Sequence, residues 1–279
     1  MRLPPAYQFP TTTVFIDDNM DFIEAIQSGI ESDHTILKKF DDPKKALNFL
    51  QNNTAPKNRH DAWTRVSPSE NDFDSVSIEV KFSKICSMLD DKNRFQQITT
   101  VVVDYQMPEV DGLTFLAMLK DFPVRKILLT GVADAEIAIK ALDRGLIDAY
   151  VRKHDDNLLR KIQEILINNQ VNYFQEQSSL INSALKISQE NDNFLSASYC
   201  DLFQKVKEKY KAIEHYLMDE NGSCMFLSKN TQRVNLIIKS LEQINSEHDF
   251  VASNETYSFK GSRHLQLRLG SDYYYTIET

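Results

Sequence analysis

Thr100–Gly112, TVVVDYQMPEVDG, is a run of β-branched residues that stops abruptly on a carboxylate, Asp104. Such a run reads as a buried parallel strand that delivers its acid to the C-terminal edge of a sheet, where open α/β folds bind ligands. Met107-Pro108 then turns the chain, because proline fixes φ and keeps the preceding residue out of the helical region. Asp111-Gly112 adds a second turn signal before a helix starting at Leu113.

Working outward, the same strand-then-helix rhythm repeats. Thr12 to Ile16 is a short strand ending on Asp17-Asp18, and Phe22, Ile23, Ile26 and Ile30 follow at helical spacing with Asp21 as the expected N-cap. His34 to Phe40 is a second strand, and Asp42-Pro43 opens a second helix. Beyond Leu113 to Lys120, Val124 to Leu129 ends on Thr130-Gly131, a helix spans Asp134 to Arg144, and Ile147 to Arg152 ends on Lys153. Five short strands alternating with helices predict a parallel, doubly wound α/β sheet whose right-handed crossovers bring the strand C-termini to one edge. Asp17, Asp18, Asp104, Thr130 and Lys153 then converge there.

Residues 52–97 interrupt the rhythm. Asn52 to Asp74 is polar, contains Pro56 and Pro68, and lacks a steady period, while residues 78–96 regain helical spacing through Ile78, Phe82, Ile85, Met88 and Leu89. The stretch reads as an insertion in the first domain, before its third strand: a tolerated surface addition, or a docking surface. Residues 1–11, with Pro4, Pro5 and Pro10, read as an extended lead-in arm.

The composition supports two domains. The chain has 279 residues, 42% of them hydrophobic and 10% aromatic, sufficient for real cores. A formal net charge of -8 argues against a protein devoted to nonspecific contact with nucleic-acid phosphates or an anionic membrane. Cys86, Cys200 and Cys224 are widely spaced and have no metal-ligand pattern, as expected of thiols in a reducing cytoplasm. No apolar run approaches the roughly 18 residues of a membrane helix, and no signal-peptide pattern opens the chain.

Carboxylates crowded at one edge repel unless a hard cation is shared among them, and Mg²⁺ suits an all-oxygen set. A neighbouring lysine can neutralise a phosphoryl group, a threonine hydroxyl can donate to it, and a carboxylate can attack phosphorus. With the acidic pair Asp17-Asp18, VVVDYQMPEVDG, the LLTG segment at Thr130, Tyr150 and Lys153 all in place, residues about 12–170 resemble the receiver domain of bacterial two-component response regulators. The resemblance implies that Asp104 accepts a phosphoryl group from a histidine kinase or phosphotransfer protein. It implies that Asp17 or Asp18, with Asp104 and the Tyr105–Met107 backbone, holds Mg²⁺, that Thr130 and Lys153 contact the phosphoryl oxygens, and that Tyr150 is an aromatic switch. No catalysis is implied beyond the domain's own phosphorylation and dephosphorylation. The long 52–97 segment, His154 where the family usually has proline, and Gly131 after Thr130 depart from the pattern without removing a reactive group.

The expected boundaries are therefore 1–170 for a receiver domain and 171–279 for an α+β output domain. Leu158 to Leu166 gives the last receiver helix an apolar face, and apolar positions continue toward Gln189 without Pro or Gly, a route into the output half; without strict heptads the face reads either as a dimer seam or as packing on its own domain. Residues 199–217 and Val234 to Ile244 read as helices, and Tyr216 to Leu227 as a hairpin around Glu220-Asn221-Gly222. Thr256–Phe259, His264–Leu269 and Tyr273–Ile277 read as strands, with Gly261 and Gly270 as breaks and Tyr273 to Tyr275 on a sheet edge. From residue 160 onward 13 Lys and Arg face 15 Asp and Glu, and no basic recognition helix is visible, so DNA binding is not indicated. The expected output acts by protein contact or ligand binding. A DNA-binding regulator with an atypical output and a receiver-controlled enzyme are the competing classes.

Overall fold

The computed structural model describes residues 3–30, 33–54, 63–68, 76–131, 134–187, 196–246, 267–269 and 273–279. They form two compact units, one of Phe9–Arg59 with Asp91–Tyr173, the other of Met1–Gln8, His60–Asp90 and Phe174–Thr279.

The first unit is the doubly wound one. Its five strands, β2 (Thr11–Ile16), β3 (Thr35–Phe40), β6 (Ile98–Asp104), β7 (Arg125–Thr130) and β8 (Ala149–Arg152), pair in the order β3-β2-β6-β7-β8. All four pairings are parallel. Every residue of β2 and β6 is buried, as strands covered on both faces require. The strand period of two sorts the core. Val14, Ile16, Val101, Val103 and Leu128 pack with residues of helices α2 (Pro43–Asn53), α4 (Gly112–Met118) and α5 (Ala135–Asp143). Phe15, Val102, Ile127, Leu129 and Val151 pack with α1 (Met20–Gly29) and α6 (Leu158–Gln177). The N-cap of α1 is Asn19 rather than Asp21, because the Asn19 carboxamide accepts from the Phe22 N–H at 3.1 Å. The second helix opens at Asp42-Pro43 as expected, with the Asp42 carboxylate capping α2 by accepting from the Lys44 N–H at 2.7 Å.

The second unit holds an antiparallel six-stranded sheet ordered β1-β9-β10-β11-β13-β12, from β1 (Tyr7–Gln8), β9 (Ala212–Leu217), β10 (Cys224–Ser228), β11 (Arg233–Ser240), β12 (Leu267–Leu269) and β13 (Tyr273–Glu278). The expected hairpin is the β9–β10 pair, with Gly222 at φ +94° in its turn. Helix α8 (Ala197–Lys209) covers one face through Phe203, whose ring meets His215 at 4.8 Å and Phe226 at 5.0 Å.

Several sequence expectations give way here. The expected helix over Val234–Ile244 is instead strand β11 as far as Ser240, paired with β10 and β13, with Val234, Leu236 and Ile238 buried on one face. The helix expected over 199–217 ends at Lys209, and residues 212–217 are β9. Tyr273 to Tyr275 lie in β13, between β11 and β12, and not on an edge. The helix expected to run to Gln189 stops at Gln177, and α7 (Ser179–Ile187) follows; Gln189, Thr256–Phe259, Gly261 and Gly270 lie outside the described residues.

The unit boundaries also differ from 1–170 and 171–279. Residues 60–90 group with the C-terminal half and include a hairpin of β4 (Thr64–Pro68) and β5 (Val76–Val80), then the short helix α3 (Phe82–Cys86), so that Ile78 is in a strand. The lead-in arm is also recruited, as Tyr7 and Gln8 pair with Tyr216 and His215. The Tyr7 ring sits edge-on to Trp63 at 5.6 Å and to Phe174 at 5.5 Å, tying three distant stretches into one core.

Candidate functional site

The C-terminal ends of β2, β6, β7 and β8 meet at one edge because parallel strands joined by right-handed crossovers all run the same way. Asp104 is the last residue of β6, Asp17 and Asp18 follow β2, Thr130 ends β7, and Lys153 follows β8. The expected residues are therefore brought together.

Lys153 Nζ lies 2.7 Å from Asp17 Oδ2 and 2.9 Å from Asp104 Oδ2, a cation bridging two nearly buried carboxylates. Its amine also stands 4.7 Å from the centre of the Phe22 ring, an attraction of the cation–π type. Burial pushes the Asp104 carboxyl above its ordinary range, and the hydrogen bond from Lys153 only partly offsets this. For Lys153 burial acts against the ammonium form, but hydrogen bonds to Asp17 and Asp104 outweigh it and hold the proton more tightly than in water. The Thr130 hydroxyl is fully buried and has no hydrogen-bond partner among the described residues. A buried donor is rarely left unsatisfied, so this one suits an oxygen-rich group arriving at the strand ends.

Asp17, Asp18 and Asp104 each offer a carboxylate oxygen, and these atoms lie within 4.8 Å of one another. Asp17 and Asp104 are buried and Asp18 is exposed, so the cluster opens to solvent on one side. Three carboxylates at that spacing, two of them desolvated, fit a hard divalent cation such as Mg²⁺. Met107, in the loop beyond Asp104, packs its side chain into the core. Tyr150 is partly buried against that same core.

Other residues shape the loop after Asp104. Tyr105 donates its N–H to Leu129 O at 2.9 Å, and Gly112 donates to Tyr105 O at 2.9 Å. A Cβ on Gly112 would lie 2.2 Å from the Asp104 carbonyl oxygen, so only glycine permits this approach. Asp111 caps α4, accepting from the Thr114 N–H at 2.9 Å and the Thr114 hydroxyl at 2.7 Å. Glu109 takes φ +67°, and its carboxylate meets Lys44 Nζ at 2.6 Å. Gln106 Nε2 donates to Asp134 Oδ2 at 3.3 Å, joining the loops after β6 and β7. Sequence reasoning missed Lys44, Gln106, Asp134 and Phe22; only the Asp-Gly turn signal at 111–112 hinted at how close the loop comes. His154 follows Lys153 through a trans peptide bond.

A five-stranded parallel sheet with acids, a hydroxyl and a lysine at its C-terminal edge, in a chain carrying a further α+β unit, is similar to the architecture of two-component response regulators. The response regulator LqsR of Legionella pneumophila superposes on the chain with a TM-score of 0.71, at 25% identity, covering 98% of this chain and 88% of that one. A response regulator receiver domain protein from Clostridium thermocellum matches at 21% identity and a TM-score of 0.38, over 58% of this chain and 94% of its own. The receiver domain of a Francisella response regulator matches at 18% and 0.36, over 60% and 98%. No protein-family model matches the chain, and no curated protein matches it. Among the described residues no helix is long and apolar enough to cross a membrane.

Proposed function

We propose that the chain is a phosphorylation-switched regulator in which Asp104 is the phosphoacceptor. The carrying observation is Lys153 bridging Asp17 and Asp104 beside a buried Thr130 hydroxyl that has no partner among the described residues. An Asp104 carboxylate oxygen attacks the phosphorus of a phosphohistidine on a sensor kinase or phosphotransfer protein. The O–P bond forms as the donor's N–P bond breaks, and the imidazole leaves. Lys153 neutralises charge on the transferred group, and Thr130 donates to one of its oxygens. Asp17, Asp18 and Asp104, with the Met107 backbone, would hold Mg²⁺, which supplies charge neutralisation for the phosphoryl oxygens.

The phosphoryl group adds roughly 1.5 to 2 negative charges. Thr130 gains its hydrogen bond by moving toward that group, and the vacated space lets Tyr150 turn inward. The α+β unit is the output, acting by protein or ligand binding. Incubation with a small phosphodonor and Mg²⁺ should label the protein at Asp104 alone. Asp104→Asn should abolish labelling, since an amide does not attack phosphorus, and chelation of divalent cations should suppress it. Undiminished labelling of Asp104→Asn would refute the assignment.

A further inference from the structure

The second unit holds a solvent-open cavity of about 800 Å³, a size at which small-molecule sites are common, and every residue lining it belongs to that unit. Part of its wall is apolar. Ile78 and Val80 stand two apart on β5 and so share a face of that strand, and Ala184 and Leu185 come from α7, which lies against β5. The charge on the lining has one sign. Glu79, Glu220 and Glu242 bring three exposed carboxylates, and among the described residues no Lys, Arg or His lines the cavity. Phe82 and Tyr273 add two aromatic side chains.

The polar part of the lining is held in place by hydrogen bonds. Asn221, in the turn between β9 and β10, keeps only 8% of its surface and donates from Nδ2 to Gln243 Oε1 at 2.9 Å. The same oxygen accepts from the Ser240 N–H at 3.0 Å, while the Gln243 N–H donates to Ser240 Oγ at 3.2 Å. Ser223, in the same turn and fully buried, clasps Ile238: its hydroxyl accepts from the Ile238 N–H at 2.9 Å and donates to the Ile238 carbonyl oxygen at 3.3 Å. These bonds fasten the turn that carries Glu220 to the segment that carries Glu242. The cost of ordering the two around a ligand is therefore largely met in the fold itself.

We infer that this cavity binds an aliphatic polyamine, its ammonium groups on Glu79, Glu220 and Glu242 and its methylene chain along Ile78, Val80, Ala184 and Leu185. Three carboxylates with no cation among them repel an anion and attract a cation, and aromatic side chains favour the same sign of charge. The apolar wall then selects among cations. A bare divalent ion keeps its water and gains nothing from aliphatic surface, whereas each methylene removed from water contributes to binding. A smaller recess of about 410 Å³ shares Asn221, Glu242 and Gln243 with the cavity, but its lining includes both Asp219 and Lys239 and so has no such preference. The inference stands apart from the phosphoacceptor reading, which uses none of these residues.

The test is isothermal titration of spermidine into the full chain at about 0.15 M salt, where attraction between exposed charges more than about 8 Å apart is largely screened. Saturable binding is expected. Glu220→Gln combined with Glu242→Gln, both at exposed positions where the change leaves the fold intact, should weaken it roughly tenfold or more. Equimolar Mg²⁺ should leave the amine bound. Absence of saturable binding overturns the inference, and so does binding that survives the paired Glu→Gln change, which would put the amine elsewhere on the chain. Displacement of spermidine by equimolar Mg²⁺ overturns it as well, since attraction to charge alone would then account for the binding. None of these outcomes alters the labelling expected at Asp104, so the two readings fail separately.

Discussion

Gly112→Ala tests how the loop after Asp104 is built. The added methyl would sit 2.2 Å from the Asp104 carbonyl oxygen and 3.0 Å from both the Asp104 carbonyl carbon and Tyr105 Cα, all backbone atoms that cannot rotate away. Alanine is worth up to about 1 kcal/mol over glycine in a helix interior, but Gly112 is only the first residue of α4 and gains little of that. Overpacking against a fixed neighbour costs about 1–3 kcal/mol, so a net loss of about 2 kcal/mol is expected. Gly29→Ala is the control. Its Cβ would meet Leu159 Cδ1 at 2.4 Å, the far end of a flexible side chain, and a rotamer change should hold the loss below about 1 kcal/mol. Urea unfolding at constant m-value measures both, and phosphodonor labelling should fall for Gly112→Ala because the strand end carrying the acid is displaced. A Gly112→Ala protein within about 0.5 kcal/mol of the parent and labelled at the same rate would refute the reasoning.

Thr130→Ala removes a buried hydroxyl that has no hydrogen-bond partner among the described residues, so stability should change by less than about 1 kcal/mol while labelling slows roughly tenfold or more, read by urea unfolding and a labelling time course. Lys153→Ala strands two buried carboxylates; a loss of about 2 kcal/mol or more at pH 7 is expected, shrinking in urea melts at low pH as the Asp104 carboxyl, held above its ordinary range by burial, protonates. Burial holds the His215 imidazole neutral down to about pH 3, below its ordinary value of 6.5. A base with a depressed folded pKa contributes stability that is complete above about 6.5 and lost progressively as pH falls toward 3, at about 1.4 kcal/mol per unit. Between pH 6.5 and 4.5 the six-stranded unit should therefore lose about 2–3 kcal/mol beyond what His215→Leu loses, measured by denaturant unfolding of both proteins across that range.

The sequence by itself determined the parallel sheet and the residues at its edge. The strands β2 and β6 are local runs of β-branched or apolar residues, Thr11–Ile16 and Ile98–Asp104, and each candidate residue follows directly from where a strand stops. Once alternation with helices establishes a doubly wound sheet, connection handedness alone gathers Asp17, Asp104, Thr130 and Lys153. What only the tertiary structure decided was partnership over long separations. Tyr7 pairs with Tyr216, Trp63 packs on Tyr7, and Val234 to Ile238 becomes a strand because β10 and β13 flank it. The run VNLII carries apolar residues that fit a helix face or a sheet face equally well, and its period settles nothing until neighbours supply hydrogen bonds along both edges. The assignment of residues 1–8 and 60–90 to the second unit is of the same kind, because burial against a surface formed far along the chain, as between Ala6 and Ser178 or Tyr7 and Tyr216, leaves no local trace in a segment's own periodicity.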